Sequence, residues 1–398
     1  MPSFTRRLLL GGASALVGQA ALVGPASAQD KKEITFGYSI SLTGRFSTDA
    51  TDTHRAYQLW GEQTNKAGGI SLKGRKLPVK LIHYDDTSDT NSAIRNYERL
   101  ITRDEVDLLL SPWGSGHNFA VTAATEKHKI PMVLSSAASD RIFERNLKYI
   151  FGSTQLASNF YESLGDYLAT VKDQIKTVAI AYENFLFTQS LHDFLLKKLQ
   201  ALGVQVVVDE QYPLGGQDFT SLLTKVKAAN PDAFIVIDIM PSAVYMTRQM
   251  GEVGFRPKLY AVNIGPMFTQ EFTVALGKAA ENVVENGFWH PDLPFKGAKE
   301  HFADFVARYN RNPSTDASYA FISTKILQQA IERAETLDRE QIAQTLRNGK
   351  FDTILGQYEF DARGVNKNQL SFLVQVQDGK RTIVFPKEVA TSTLKLPY

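Results

Sequence analysis

Thr177-Val178-Ala179-Ile180-Ala181, Val204-Gln205-Val206-Val207-Val208 and Ala233-Phe234-Ile235-Val236-Ile237-Asp238-Ile239 are three short apolar runs rich in β-branched residues. Each has the length and composition of a buried strand. Between and after them come stretches of helical periodicity, over residues 186–202, 219–229 and 242–253, before another strand-like run at 258–262. In 219–229 the residues Phe219, Leu222, Leu223 and Val226 make one apolar stripe. Strands alternating with helices in this way predict parallel strands joined by helical crossovers.

The same rhythm occupies the preceding part of the chain. Residues 34–40 read as a strand and 48–66 as a helix stopped by Gly68-Gly69. Residues 79–84 form the next strand. A helix over 89–103 carries Ile94, Tyr97 and Ile101 at helical spacing. Strands at 106–110 and 131–134 then flank a helix at 115–128. The predicted fold is α/β, with two doubly wound parallel-sheet lobes. The tail departs from the rhythm. Helices at 298–309, 319–336 and 339–347 follow a short strand near 287–289, and strand-like runs at 370–376 and 382–385 close the chain. The chain is therefore expected to return to the first lobe near 287–291 and to the second near Gly356. That places a first lobe at 29–152 plus 289–354 and a second at 153–288 plus 355–398, joined by three crossover strands.

Composition sets the outer limits. The chain has 398 residues, 43% hydrophobic and 22% charged, which is globular and long enough for two cores. Arg6-Arg7, an apolar run through Val23 and the small-x-small string Ala26-Ser27-Ala28 together read as a secretory signal over residues 1–28, of a kind compatible with twin-arginine export. The apolar stretch is short and broken for a membrane span. Removing it takes two Arg and no acid, which brings Lys plus Arg down to the 42 Asp plus Glu. A balanced charge gives no reason to expect nucleic acid or an anionic membrane as partner. There is no cysteine, which excludes disulfides, thiolate chemistry and a lipidated N-terminal Cys. A protein free in the periplasm is expected, soluble and monomeric.

In open parallel sheets ligands bind beyond the carboxyl ends of the strands. In the first lobe those ends are rich in Ser and Gly: 41–46, then Ser111-Pro112-Trp113-Gly114-Ser115-Gly116, then Ser135-Ser136-Ala137-Ala138-Ser139. A Ser-Gly pair opening a helix offers hydroxyl and free N–H groups to an anion, so Ser115, Gly116, Ser136 and Ser139 are candidates for a carboxylate or polar-head site. Ser115 capping its own helix is the structural alternative. The second-lobe ends are more apolar. Phe185, Phe187 and Met240, facing Trp113 and Phe119, are candidate walls for an apolar ligand body.

No G-x-S-x-G, Walker, G-x-G-x-x-G or H-E-x-x-H pattern is present, and the seven His are scattered without metal-ligand spacing. Asp85-Asp86 reads as a turn and helix cap in preference to a metal site. No catalytic residue, metal or cofactor is expected.

The order Ser39-Ile40-Ser41-Leu42-Thr43-Gly44, Asn65-Lys66-Ala67-Gly68-Gly69-Ile70, Lys76 to Tyr84 ending in Asp85-Asp86, and Ser115-Gly116 with Ala120 resembles the branched-chain amino-acid receptor family. These are the periplasmic type I solute-binding proteins of ATP-driven (ABC) importers. Gly254-Phe255-Arg256-Pro257-Lys258-Leu259-Tyr260 and Gly356-Gln357-Tyr358-Glu359-Phe360-Asp361 leading to Gly364 extend the resemblance over essentially the whole mature chain. The resemblance implies hinge closure on a small ligand and delivery to the permease subunits of an importer. It also implies a carboxylate site at Ser115, Ala137 and Ser139, although an ungapped count points to Gly116 in place of Ser115. Phe187 falls where the amino-acid binders commonly have Tyr. The acid that meets the ligand's ammonium should lie near Val262-Asn263, yet neither residue is acidic. Two readings stay open: Asp238 replaces that acid, or the ligand has no ammonium, as in an aromatic acid or an amide. A periplasmic sensor signalling to a partner protein, or an enzyme using the same cleft, are the competing functions.

Overall fold

The structure is a computed structural model that describes residues 31–263, 265, 270–368 and 370–398. The expected signal over residues 1–28 lies outside the described residues.

In the first lobe, β1 (Ile34–Ile40), β2 (Ile70–Leu72), β3 (Arg75–Leu77), β4 (Val79–Asp85), β5 (Leu108–Leu109), β6 (Met132–Leu134) and β7 (Ile150–Gly152) occur in chain order. A three-stranded parallel sheet runs β4-β1-β5, with Ile34 opposite Val79 and Phe36 opposite Leu108. β6 and β7 pair in parallel as a separate patch, and β2–β3 is an antiparallel hairpin. The sequence predicts one continuous sheet here. The ladder breaks between β5 and β6 because the run predicted at 106–110 is regular for two residues only. Alternate residues of β1, Phe36, Tyr38 and Ile40, are fully buried.

In the second lobe β8 (Thr177–Glu183), β9 (Gln205–Tyr212), β10 (Ala233–Ile237), β11 (Leu259–Val262) and β12 (Val284–Gly287) form parallel ladders in the order β12-β11-β10-β8-β9. A short hairpin, β13 (Phe351–Thr353) and β14 (Gly356–Tyr358), precedes β15 (Phe372–Gln377) and β16 (Lys380–Phe385). β15 and β16 extend the large sheet antiparallel, so it is mixed where a purely parallel sheet was expected. An antiparallel edge on a doubly wound sheet is common.

The helix Thr315–Ala334 is buried along most of its length because it lies against the helix Ser47–Lys66 as well as β2, β6 and β13. Trp60 Nε1 donates to Gln328 Oε1 at 3.1 Å between the two helices. The described sheets leave three crossings, after β7, β12 and β14. The first and third are bonded together: Gly152 N donates to Gly364 O at 2.8 Å, and the Tyr358 hydroxyl to Ser153 O at 3.1 Å. Gly364 has φ +84°, and a Cβ there would come 2.1 Å from Ile150 O. Only glycine allows so close a pass of two backbones.

Candidate functional site

The first-lobe wall of the site is built by buried hydrogen bonds beneath the strand ends. Asn118 Nδ2 donates to the carbonyls of Pro112 and Gly114, and Ser111 Oγ donates to Asn118 Oδ1, fixing the loop before the helix Ser115–His128. Tyr57 clamps the neighbouring loop, its hydroxyl within 2.7 Å of Ser135 Oγ and 3.0 Å of Ser111 O. The Asp85 and Asp86 carboxylates accept from Leu42, Thr43, Ser41 and Thr87, so they tie the β1 and β4 ends together. That is the turn role expected of the pair. Among the described residues no cluster of His, Asp and Glu could hold a metal ion.

The helix Ser115–His128 opens with Gly114 at φ +84° and no side-chain cap. Ser115 does not cap its own helix. Its Oγ accepts from the N–H groups of Ala138 and Ser139, each at 3.2 Å, so the hydroxyl proton remains to be donated elsewhere. The N–H groups of Ser115, Gly116 and His117 have no hydrogen-bond partner among the described residues. Together these make a donor-rich corner suited to an oxyanion.

A cavity opens over this corner at Ser115. Trp113, Ser115, Ser136, Ala137, Phe185 and Phe187, all candidates from sequence, line it. Five other candidates do not. Gly116 lies under the ring of Phe185, which a Cβ there would meet at 3.5 Å. Ser139 Oγ is 2.9 Å from Ser190 Oγ and so bridges to the helix Leu186–Leu202. Met240 is buried at a cis Met240–Pro241 peptide, outside the lining. Asn263 holds the Asp238 backbone, accepting its N–H at 2.7 Å and donating to its carbonyl at 3.1 Å.

Asp238 is fully buried, with Oδ2 accepting from the Tyr212 hydroxyl at 3.1 Å and Oδ1 unpartnered among the described residues. Burial, then the charge of Glu183, holds its carboxyl well above the usual range. Of the two readings left open, the one in which Asp238 meets an ammonium finds no support in the cavity, whose lining does not include Asp238. It is Ile239, between Asp238 and Met240, whose side chain reaches the cavity. Neighbouring side chains of an extended segment face opposite ways. Phe119 also faces elsewhere: it is exposed, with the Arg145 guanidinium 4.7 Å from its ring centroid.

Gly114 and Ala138 complete the first-lobe strand ends, and five further lining residues were not among the candidates. Thr154 and Phe160 follow the first crossing, and Thr315, Asp316 and Tyr319 begin the helix Thr315–Ala334. Ser314 caps that helix by accepting from Ala317 N at 3.1 Å. Among the described residues Asp316 is the only acidic or basic side chain in the lining. Its Oδ2 accepts from Trp113 Nε1 at 2.7 Å, and burial pushes its carboxyl up to about 6.

The two walls touch around the cavity. Phe46, buried after β1, lies 5.3 Å from Trp113, 5.5 Å from His117 and 5.6 Å from Phe185 between ring centroids. Within the second-lobe wall Phe187 meets Phe160 edge-on at 5.4 Å. At the margin Arg311 binds Glu271 in a bidentate pair, 2.7 and 2.8 Å, and reaches the buried Asp52 at 3.0 Å.

With two α/β lobes and a cavity between strand ends described, comparison with known proteins becomes specific. The sequence profile of the periplasmic binding protein family matches residues 33–381. The chain belongs to that family. It is similar to Leu/Ile/Val-binding protein homolog 7 of Brucella suis, 24% identical over 408 residues, covering 98% of this chain and 99% of the relative. Among solved structures, the branched-chain amino acid transporter substrate binding protein of Streptococcus pneumoniae, crystallised with isoleucine, superposes with a TM-score of 0.79. It is 22% identical, over 89% of this chain and all of that one. A solute binding protein of an ABC transporter from R. palustris, in complex with benzoate, gives 0.77 at 16% identity, over 92% and 97%. At these identities the structures establish the periplasmic-binding-protein type I fold.

Proposed function

We propose that the mature chain is a periplasmic solute receptor of an ABC importer. It closes two lobes, residues 29–152 plus 289–354 and 153–288 plus 355–398, on a small carboxylate-bearing or amide ligand with an apolar body. It then presents that ligand to the permease subunits. It acts as a monomer, without catalysis, metal or cofactor. One observation carries this reading: a single cavity sets a donor-rich helix start, at Ser115, against three phenylalanines, Phe160, Phe185 and Phe187. The donors suit a carboxylate or amide oxygen and the rings an apolar body. The names of its relatives, Leu/Ile/Val-binding proteins and receptors crystallised with isoleucine or benzoate, agree with such a ligand.

Ligand held between lobes stabilises the closed form through contacts that exist only there, and the transporter reads the closed population. Among the described residues no helix is long and apolar enough to cross a membrane. A thermal-shift screen of amino acids, aromatic acids, amides and ureas tests the proposal. A true ligand at about a hundred times its Kd adds about 2.7 kcal/mol and raises Tm by several degrees. No shift with any class rejects the proposed ligand chemistry, and turnover of a hit rejects the non-catalytic reading.

A further inference from the structure

The expected second-lobe acid is missing. Asn263 stands near its position, and Asp238 is buried and outside the cavity lining. The lining nevertheless contains a carboxylate, on the first lobe. We propose that Asp316 is the specificity-determining residue for a cationic nitrogen beside the ligand's carboxylate, so that the solute is a hydrophobic amino acid held at both charged ends by one lobe. This rests on the receptor reading above and narrows its ligand class.

Three observations carry it. Asp316 and the oxyanion corner share side chains. Trp113 donates to Asp316 at 2.7 Å and stands two residues before Ser115. Ser136, which lines the same cavity as Asp316, stands two residues before Ala138, whose N–H reaches Ser115 Oγ. An acid and a donor corner lining one cavity suit a ligand that carries both an ammonium and a carboxylate.

Second, Asp316 is nine-tenths buried and no basic side chain is among its partners. Its charged surroundings are acidic. Asp52 acts on it, though Asp52 itself is met by Arg55 at 2.7 Å and Arg311 at 3.0 Å. Asp49 is buried too, with Oδ2 unpartnered among the described residues and Asp316 as its strongest charged neighbour. Burial leaves both carboxyls raised, the mark of acids without a counter-ion. A ligand ammonium supplies that counter-ion, whereas a ligand with a carboxylate alone adds a second negative charge beside Asp316.

Third, of the second-lobe residues in the lining, Thr154, Phe160, Phe185, Phe187 and Ile239, only Thr154 has a polar side-chain atom, and its hydroxyl donates to Ala137 O at 3.0 Å. They cover the ligand's body and leave its charges to the first lobe.

The test is calorimetry with isosteric pairs: L-leucine against 4-methylpentanoate and L-phenylalanine against 3-phenylpropanoate, on the wild type and Asp316→Asn. The wild type should prefer the amino member at least tenfold, and Asp316→Asn should lose that preference while keeping the wild-type Tm. A second readout needs only the folded wild type. The amino ligand should weaken about tenfold from pH 7.5 to pH 5 as Asp316 takes up a proton, and its des-amino partner should not. In Asp316→Asn the amino ligand's affinity should be flat over that range. Equal binding of both pair members, or tighter binding of the des-amino acid, overturns the inference and leaves the receptor reading standing. No binding of any probe also overturns it, and a hit from another class in the thermal screen then keeps the receptor reading alone.

Discussion

The two walls of the cavity are made of different material. The first-lobe wall is polar and wired from behind: Ser115 accepts two amides, Trp113 grips Asp316, and Asn118 and Tyr57 lock the loops. The second-lobe wall is three phenylalanines and an isoleucine, with Thr154 as its one polar side chain. Directional bonds must be held in place before a ligand arrives, because loose donors would lose their advantage in ordering entropy. Apolar area needs only to arrive. One lobe is therefore built to choose the ligand and the other to cover it.

The comparison can be broken at several points. The largest effect should come from Phe187→Ala, since Phe187 is almost buried and packs edge-on against Phe160. A loss of about 3 kcal/mol in urea unfolding would show that the covering wall is also core. A loss under about 1 kcal/mol would mean the ring serves the cavity alone. Next comes Arg311→Ala, which strips the buried Asp52 of one of its two cations and removes the bidentate pair with Glu271. We expect about 2 kcal/mol of destabilisation and weaker ligand binding. Unchanged binding would remove Arg311 from closure.

Asp238→Asn sharpens the contrast between the two buried acids. The folded pKa of Asp238 is raised above its unfolded value, so its contribution is present at low pH and is lost as pH rises between them. The variant should match the wild type at pH 4 and exceed it by about 1 kcal/mol at pH 8, with ligand affinity unchanged. Lost affinity at neutral pH would return Asp238 to the site. The smallest effect belongs to Ser190→Ala. It deletes the bridge to Ser139 and should cost about 0.5 kcal/mol, read as a slightly faster ligand off-rate.

Much of the architecture was legible because burial writes itself into composition. The helices Ser115–His128, Leu186–Leu202 and Ala298–Tyr309 have the bounds their periodicity gives. The mixed edge of the large sheet was not, since β15 and β16 look locally like any buried strand and their direction is set by a crossing. Of the candidates at strand ends, Trp113, Ser115, Ser136, Ala137, Phe185 and Phe187 line the cavity. Beyond β10 the choice between Asp238, Ile239 and Met240 depends on which way the chain leaves the sheet. Thr154 and Phe160 gave no signal because only the tertiary crossing brings them to the cavity. Asp316 did leave one: Ser314 followed by Thr315-Asp316 is a helix start with an acid in its first turn. Starting that helix at Tyr319 hid it.

The central claim is that a ligand is gripped from both sides, by a hydroxyl-and-amide corner below and a movable ring above. Calorimetric titration of the best thermal-shift hit into the wild type, Ser115→Ala and Phe185→Ala tests it directly. Phe185 is half-exposed, so its truncation should leave the fold intact. The account predicts at least a tenfold loss of affinity in each variant. Wild-type affinity in both would contradict it.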